Sequence, residues 1–296
     1  MEIKGIDVSG WQENIDWAKV KSDGIKFAIL RCGWGQDIAK QDDSYFEKNV
    51  KGCEANGISY GVYLYSYADT TEKAKSELAH LLRLLKGKKP SFPVYYDLED
   101  AVTAKCSKAK ILEFAKIVIN GLEAAGYWAG IYANLNWFRN YLTDPWYDTK
   151  AKWIAQYASK CTYEKTYGMW QYSSSGKVKG ISGNVDMNIC YSDYPTYIKT
   201  NGLNGWKVAD KKTTDKPLEK PSDILKKGDK GIAVYSMKQM LRLLKDKGKI
   251  KAGVDNDDIF GAGTETALKE VQKLAGIGQD GKFGTKTADA MYKLLS

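Results

Sequence analysis

Between residues 3 and 189 the chain alternates short runs of β-branched and aromatic residues with longer amphipathic stretches, and this alternation restricts the fold more than any other feature. Strand-like runs fall at residues 3–9, 27–31, 59–67 and 94–98, and patterns of helical period fall at 14–22, 43–56, 70–85 and 108–125. Gly24, Gly57 and Gly126 stand where helices would stop. Four further strand-like runs follow at 129–133, 153–157, 169–172 and 185–189, the last three separated by gaps too short for full crossover helices. Strands and helices in alternation, with helices dropping out toward the end, predict an α/β fold: an irregular eight-stranded (β/α) barrel with incomplete helical cover.

In such barrels the C-terminal ends of the strands form the functional rim. The run Phe92-Pro93-Val94-Tyr95-Tyr96-Asp97-Leu98-Glu99-Asp100 is apolar and aromatic until it finishes in three carboxylates. Residues two apart on a strand share a face, about 6–7 Å apart, so Asp97 and Glu99 are expected side by side. Two acids that close resist being ionised together, so one holds a proton near neutral pH. A proton donor beside a carboxylate is what cleavage of a glycosidic bond requires. A solvated acidic turn after a core strand is the plainer reading, and this stretch alone leaves both open. Asp7 and Asp186, near the ends of the first and eighth strands, are neighbours once a barrel closes. Four acids from distant sequence meeting at one rim favour a catalytic cluster.

Composition narrows the chemistry. The single histidine, His80, sits in a helical pattern among Leu78, Leu81, Leu82 and Leu85 and reads as a surface or core-edge residue. One histidine is too few for a zinc hydrolase, and a Cys–His peptidase is equally poorly supported, so no metal and no cofactor are expected. The five cysteines are scattered without CxxC spacing and read as reduced thiols of a cytoplasmic product. A net charge of +9 suits an anionic partner such as a bacterial cell wall. Basic residues do not cluster among base-stacking aromatics, so nucleic acid is not expected. Twenty Tyr and nine Trp offer flat platforms for sugar rings. The N-terminus lacks an apolar h-region and no run approaches the length of a membrane span, so neither a secretory signal nor a transmembrane segment is expected.

Residues 1–195 are read as the barrel, 196–221 as a polar linker with two Asn/Gly turns, and 222–296 as a small three-helix domain. In the last part Phe260-Gly261, Thr264 and Ala267 recur 23 positions on as Phe283-Gly284, Thr287 and Ala290. Each copy reads as a glycine turn before a Thr-capped helix (264–274 and 285–295), and a third helix is expected at 233–245. With no reactive constellation, this part is a binding module or a purely stabilising appendage.

The first 195 residues or so resemble glycoside hydrolase family 25, the Chalaropsis-type muramidases. The resemblance is carried by Gly5-Ile6-Asp7-Val8-Ser9 with Trp11-Gln12, Ile15-Asp16-Trp17, Phe27 with Arg31, Gly61-Val62-Tyr63-Leu64-Tyr65 and Tyr96-Asp97-Leu98-Glu99. It continues through Gly130-Ile131-Tyr132, Trp153-Ile154-Ala155-Gln156-Tyr157, Trp170-Gln171-Tyr172 and Val185-Asp186-Met187-Asn188. Leu64 departs from the histidine many members carry there. The last 75 or so residues resemble a helical peptidoglycan-binding domain, through Leu225-Lys226-Lys227-Gly228-Asp229-Lys230-Gly231 and Asp280-Gly281-Lys282-Phe283-Gly284-Thr285.

The resemblance implies an endolysin-type enzyme that cuts the β-1,4 bond between N-acetylmuramic acid and N-acetylglucosamine. It is expected to be made in a host cytoplasm and to act on a Gram-positive wall after release. Glu99 is then the general acid, with Asp97, Asp7 and Asp186 completing the cluster, while Tyr65, Tyr132, Trp153 and Gln171 contact the sugar. Substrate assistance by the N-acetyl group, with retention at the anomeric carbon, is the expected course. A catalytically silent wall-binding barrel and a chitinase-like glycosidase are the alternatives. Intact Asp97 and Glu99 count against the first. Tyr95 and Pro93, standing where a chitinase pattern has aspartates, count against the second.

Overall fold

The computed structural model describes residues 2–207, 224–230, 232–255, 257 and 259–295, in two units that divide near residue 210. In the first unit, eight strands close a barrel in chain order. They are β1 (Ile3–Val8), β2 (Phe27–Trp34), β3 (Ser59–Tyr65), β4 (Val94–Asp97), β5 (Ala129–Asn134), β6 (Ala151–Ala155), β7 (Met169–Gly176) and β8 (Val185–Cys190). Helices α1 (Trp17–Ser22), α2 (Phe46–Asn56), α3 (Thr71–Leu85) and α4 (Lys108–Ala124) cover the first four connections, and the six-residue α5 (Leu135–Asn140) covers the fifth. No helix joins β6 to β7. The α/β barrel with incomplete helical cover is the expected one.

Side-chain parity divides the barrel wall into two layers. Ile6, Val8, Ala28, Leu30, Val62, Leu64, Val94, Tyr96 and Ile131 pack outward against the helices. Phe27, Ile29, Tyr95, Tyr132, Trp153 and Met169 point inward and fill the lower barrel. Glycines admit these rings: a Cβ at Gly5 would stand 2.4 Å from the Phe27 ring, and one at Gly130 would stand 2.7 Å from Tyr95.

Two expectations change. Strand β8 runs antiparallel to both β7 and β1, because only residues 177–184 separate it from β7 and so short a connection allows a hairpin but no crossover. Asp186 therefore lies at the start of its strand, yet on the same rim as the ends of the other seven. The linker read from residue 196 also begins later. Helix α6 (Tyr194–Thr200) places Tyr194 and Ile198 against the lower barrel core. Beyond it the fully buried Asn204 donates to the carbonyls of Pro90 (3.0 Å) and Phe92 (2.9 Å) and accepts from the Trp128 amide (2.7 Å). Its φ of 54° is one that asparagine tolerates better than most side chains. A segment rich in Asn and Gly reads as linker, but here its amide satisfies backbone groups that would otherwise be orphaned beneath the barrel. The rest of the expected linker, 208–221, lies outside the described residues.

In the second unit α7 (Ile232–Asp246), α8 (Ala262–Leu274) and α9 (Thr285–Leu295) enclose Val234, Met237, Leu241, Leu244, Phe260, Leu268, Val271 and Met291. Helix α8 starts two residues earlier than expected, with Gly261 at its N-cap, so Thr264 is a buried residue of the first turn and not a cap. Among the described residues, no helix is long and apolar enough to cross a membrane.

Candidate active site

The barrel brings the four expected acids to one rim. Asp7 and Asp186 are direct partners across the antiparallel β1–β8 ladder, and their side chains hydrogen-bond each other. Two carboxylates in such contact must share a proton. Oxygen Oδ2 of Asp7 accepts from the amides of Gln171 (Nε2, 2.9 Å) and Asn188 (Nδ2, 2.7 Å). Burial, reinforced by the charge of Asp186, holds the Asp7 carboxyl well above the usual carboxylate range. Asp186 is raised as well, again by burial.

Asp97, the last residue of β4, is 2 % exposed, and its buried Oδ1 has no hydrogen-bond partner among the described residues. Burial pushes it far up, the charges of Glu99 and Asp7 push it further, and the Arg31 guanidinium pulls it back in part. Glu99, just beyond the strand, is only partly buried. Its Oε2 accepts from Asn134 Nδ2 at 3.1 Å, and burial raises its carboxyl against the pull of that bond. The stronger rise falls on Asp97, but Glu99 is the acid with access to solvent and hence to a leaving group. Acids this close titrate together, and all four are raised, so the cluster holds its protons to higher pH than open carboxylates do.

The expected sugar contacts divide. Tyr65 is partly exposed, donates to Asp100 Oδ2 (3.2 Å) and lies 5.1 Å, between ring centroids, from Tyr67, itself 40 % exposed. Tyr132 is buried, and its hydroxyl donates to Gln171 Oε1 (2.9 Å). Gln171 is buried, with its carbonyl accepting from Tyr132 and its amide nitrogen donating to Asp7, so it steadies Asp7. Trp153 is 1 % exposed, packs on Tyr132 (4.3 Å) and Tyr95 (5.2 Å) and donates from Nε1 to Asn188 Oδ1 (2.8 Å). It is a core ring and not a platform for sugar. Parity indicated that it faces inward but not its height. Strand β6 begins at Ala151, two residues before the run that the sequence suggested, so residue 153 sits below the rim.

Three residues of the site were missed. Asn134 orients Glu99, and Asn188 links Trp153 to Asp7. Alternation along β5 places Asn134 on the same inner face as Tyr132, at its strand's end. Tyr157 is 60 % exposed and donates to Gln171 Oε1 (3.2 Å), and burial of its hydroxyl together with the charge of Asp186 pushes it up to about 12. The lone histidine is also placed differently: His80 is fully buried, between the Gly35 carbonyl (3.0 Å) and Asp42 (2.8 Å), where it braces the loop after β2. Among the described residues, no group of three or more His, Cys, Asp or Glu could hold a metal ion.

This division predicts opposite phenotypes for two aromatic truncations. Trp153→Ala empties a core site and should cost about 3–5 kcal/mol of stability in denaturant unfolding. Tyr157→Ala should leave unfolding within about 0.5 kcal/mol of the parent, as for surface substitutions, and weaken binding of a ligand at the mouth. Equal destabilisation by both would contradict the assignment of Tyr157 to the open mouth.

Residues 6–181 match the model of glycosyl hydrolases family 25, and residues 230–291 match that of a putative peptidoglycan binding domain. The autolytic lysozyme of Clostridium acetobutylicum is 26 % identical over 298 residues, covering 99 % of this chain and 80 % of that protein. The modular autolysin LytC of Streptococcus pneumoniae, solved with a synthetic peptidoglycan ligand, is 28 % identical with a TM-score of 0.58. That match covers 64 % of this chain and 47 % of LytC, so the chain spans under half the length of that relative. The CTP1L endolysin is 26 % identical with a TM-score of 0.57, over 67 % of this chain and 69 % of that one.

Proposed function

The chain belongs to glycosyl hydrolases family 25, and from that premise we propose that it is a muramidase, hydrolysing the β-1,4 bond between N-acetylmuramic acid and N-acetylglucosamine in peptidoglycan. One observation carries the reading: a partly open Glu99, its carboxyl raised by burial, stands beside a buried Asp97 whose Oδ1 lacks a partner among the described residues, at the mouth of a closed barrel. Glu99 protonates the glycosidic oxygen as the bond to the anomeric carbon breaks. The acetamido oxygen of the same sugar attacks that carbon, and Asp97 Oδ1 takes the acetamido N–H, stabilising the oxazolinium that forms. Water then adds to the anomeric carbon and returns a proton to Glu99. The Asp7–Asp186 pair, held by Gln171 and Asn188, keeps negative charge near the developing cation.

The C-terminal unit holds the enzyme on the wall polymer, a role supported by its match to a peptidoglycan-binding domain. The wall is that of a Gram-positive host, reached after the protein leaves the cytoplasm that makes it. The absence of disulfides among five free cysteines supports synthesis in a reducing compartment.

Digestion of purified walls is the test. New reducing ends without new free amines are expected, with retention at the anomeric carbon in early NMR spectra and no cleavage where muramic acid is de-N-acetylated. Amines without reducing ends would exclude a muramidase, whereas clean inversion would exclude only the substrate-assisted course.

A further inference from the structure

The rim carries one cation whose chemistry the hydrolytic steps leave unused. Arg31 follows Phe27 and Ile29 on the inner face of β2, and it pairs in register with Tyr63 just below a bulge. Its Nε donates to Asp43 Oδ2 at 2.8 Å. Asp43 is itself buried and held by the amides of Gly10 (2.8 Å) and Tyr45 (3.0 Å), so this anchor cannot swing. The guanidinium carbon lies 5.3 Å from the centroid of the Trp34 ring, which fixes the plane of the group. Neither Nη has a hydrogen-bond partner among the described residues, the side chain remains 18 % exposed, and its charge is felt at Asp97. A structural arginine uses its whole fork, whereas this one is locked along one edge and leaves the other unbonded.

An Nη pair in a fixed plane matches the two oxygens of a carboxylate and can also donate to the single oxygen of an amide carbonyl, with better geometry than a lysine could offer. Along a wall glycan every sugar carries uncharged hydroxyls and acetamido groups, and only muramic acid adds a lactyl arm, which ends in a carboxylate or, where a peptide is attached, in an amide carbonyl. Chitin has no such arm. Resting on the muramidase reading, we propose that Arg31 is the specificity residue of this site, binding the lactyl arm of muramic acid through its free Nη edge. Asp43 and Trp34 then act as positioning residues, setting the fork toward a ligand that only the wall polymer supplies. The barrel thereby distinguishes its polymer by a contact separate from the acids that cleave it.

The test uses the full chain as wild type, Arg31→Met and Arg31→Lys. Substrates are peptide-free tetrasaccharides of alternating N-acetylglucosamine and N-acetylmuramic acid and the same glycan with its peptides attached; chitotetraose serves as a competing ligand. Arg31→Met should raise KM for both muramyl glycans about 10- to 100-fold, the scale of a lost charge-assisted hydrogen-bonded pair, beside whatever change in kcat follows from losing its charge near Asp97. Inhibition by chitotetraose should be unchanged, and Arg31→Lys should recover part of the affinity. A larger loss on the peptide-free glycan marks the free carboxylate as the ligand; an equal loss on both marks the lactyl carbonyl that they share. Weakened chitotetraose binding in step with the muramyl loss overturns the proposal. So does a change confined to kcat and its pH profile, which would make Arg31 an electrostatic partner of Asp97. Wild type that releases no reducing ends from either muramyl glycan overturns the muramidase reading itself.

Discussion

Glu99→Gln is expected to lower the rate of wall-glycan hydrolysis by about 10²–10⁴-fold, the usual contribution of general acid catalysis. The substitution keeps the length and planarity of the side chain, and the amide oxygen can still accept from Asn134 Nδ2, so the mouth keeps its shape. What disappears is the proton. In the parent, burial raises the Glu99 carboxyl so that the acid form persists at higher pH than in an open carboxylate. Wall binding should be unaffected and thermal unfolding no worse. Rates from reducing-end release, a melting curve and a wall sedimentation assay on one preparation check all three. Turnover within about tenfold of the parent, with the fold intact, would remove Glu99 from the role of acid.

Asp97→Asn should be comparably damaging to catalysis and should at the same time stabilise the protein. Losing an anionic oxygen aimed at a developing positive charge should cost about 10²–10³-fold in kcat, the loss seen when one preorganised electrostatic group is removed from an active site. The gain in stability follows from linkage. Asp97 is raised in the folded state by burial and by its acidic neighbours, so its contribution to stability is fully present below the unfolded carboxylate range. That contribution is lost as pH rises through the higher folded value. Asparagine carries no such penalty. The melting temperature of Asp97→Asn should exceed that of the parent by roughly 2–6 °C at pH 7, and the difference should vanish toward pH 4. A difference that grows as pH falls would have the wrong sign and would contradict the raised carboxyl.

Much of this architecture was legible in the residues themselves. The barrel wall announced itself because its two faces obey period two while the covering helices obey period 3.6, and the Asp97–Glu99 pair stood out because carboxylates end an apolar strand. The parts that escaped did so for physical reasons. The family resemblance placed Trp153 at the sugar, and nothing in the pattern of its strand gives the height at which its ring sits, which is below the mouth. The direction of β8 depends on the length of the hairpin before it, which no property of β8 itself reveals. Asn134 and Asn188 carry no charge and break no pattern, although they hold two of the four acids. Asn204 sits among turn residues, and only the orphaned backbone groups beneath the barrel show what its amide is for.

The reversed last strand also governs when the enzyme comes into being. Strands β1 to β7 can form in the order in which they leave the ribosome, each beside its predecessor, but until β8 arrives the growing sheet has two open edges and three of its four acids. The β7–β8 hairpin is local and quick to form, whereas the β1–β8 seam, which joins Ile3 to Cys190, closes a loop that spans nearly the whole domain. That same seam sets Asp186 against Asp7. The step that closes the barrel is therefore also the step that completes the cluster of acids. A nascent or truncated chain ending before residue 185 lacks Asp186 and the β1–β8 seam, and its bare strand edges invite association until the final hairpin covers them.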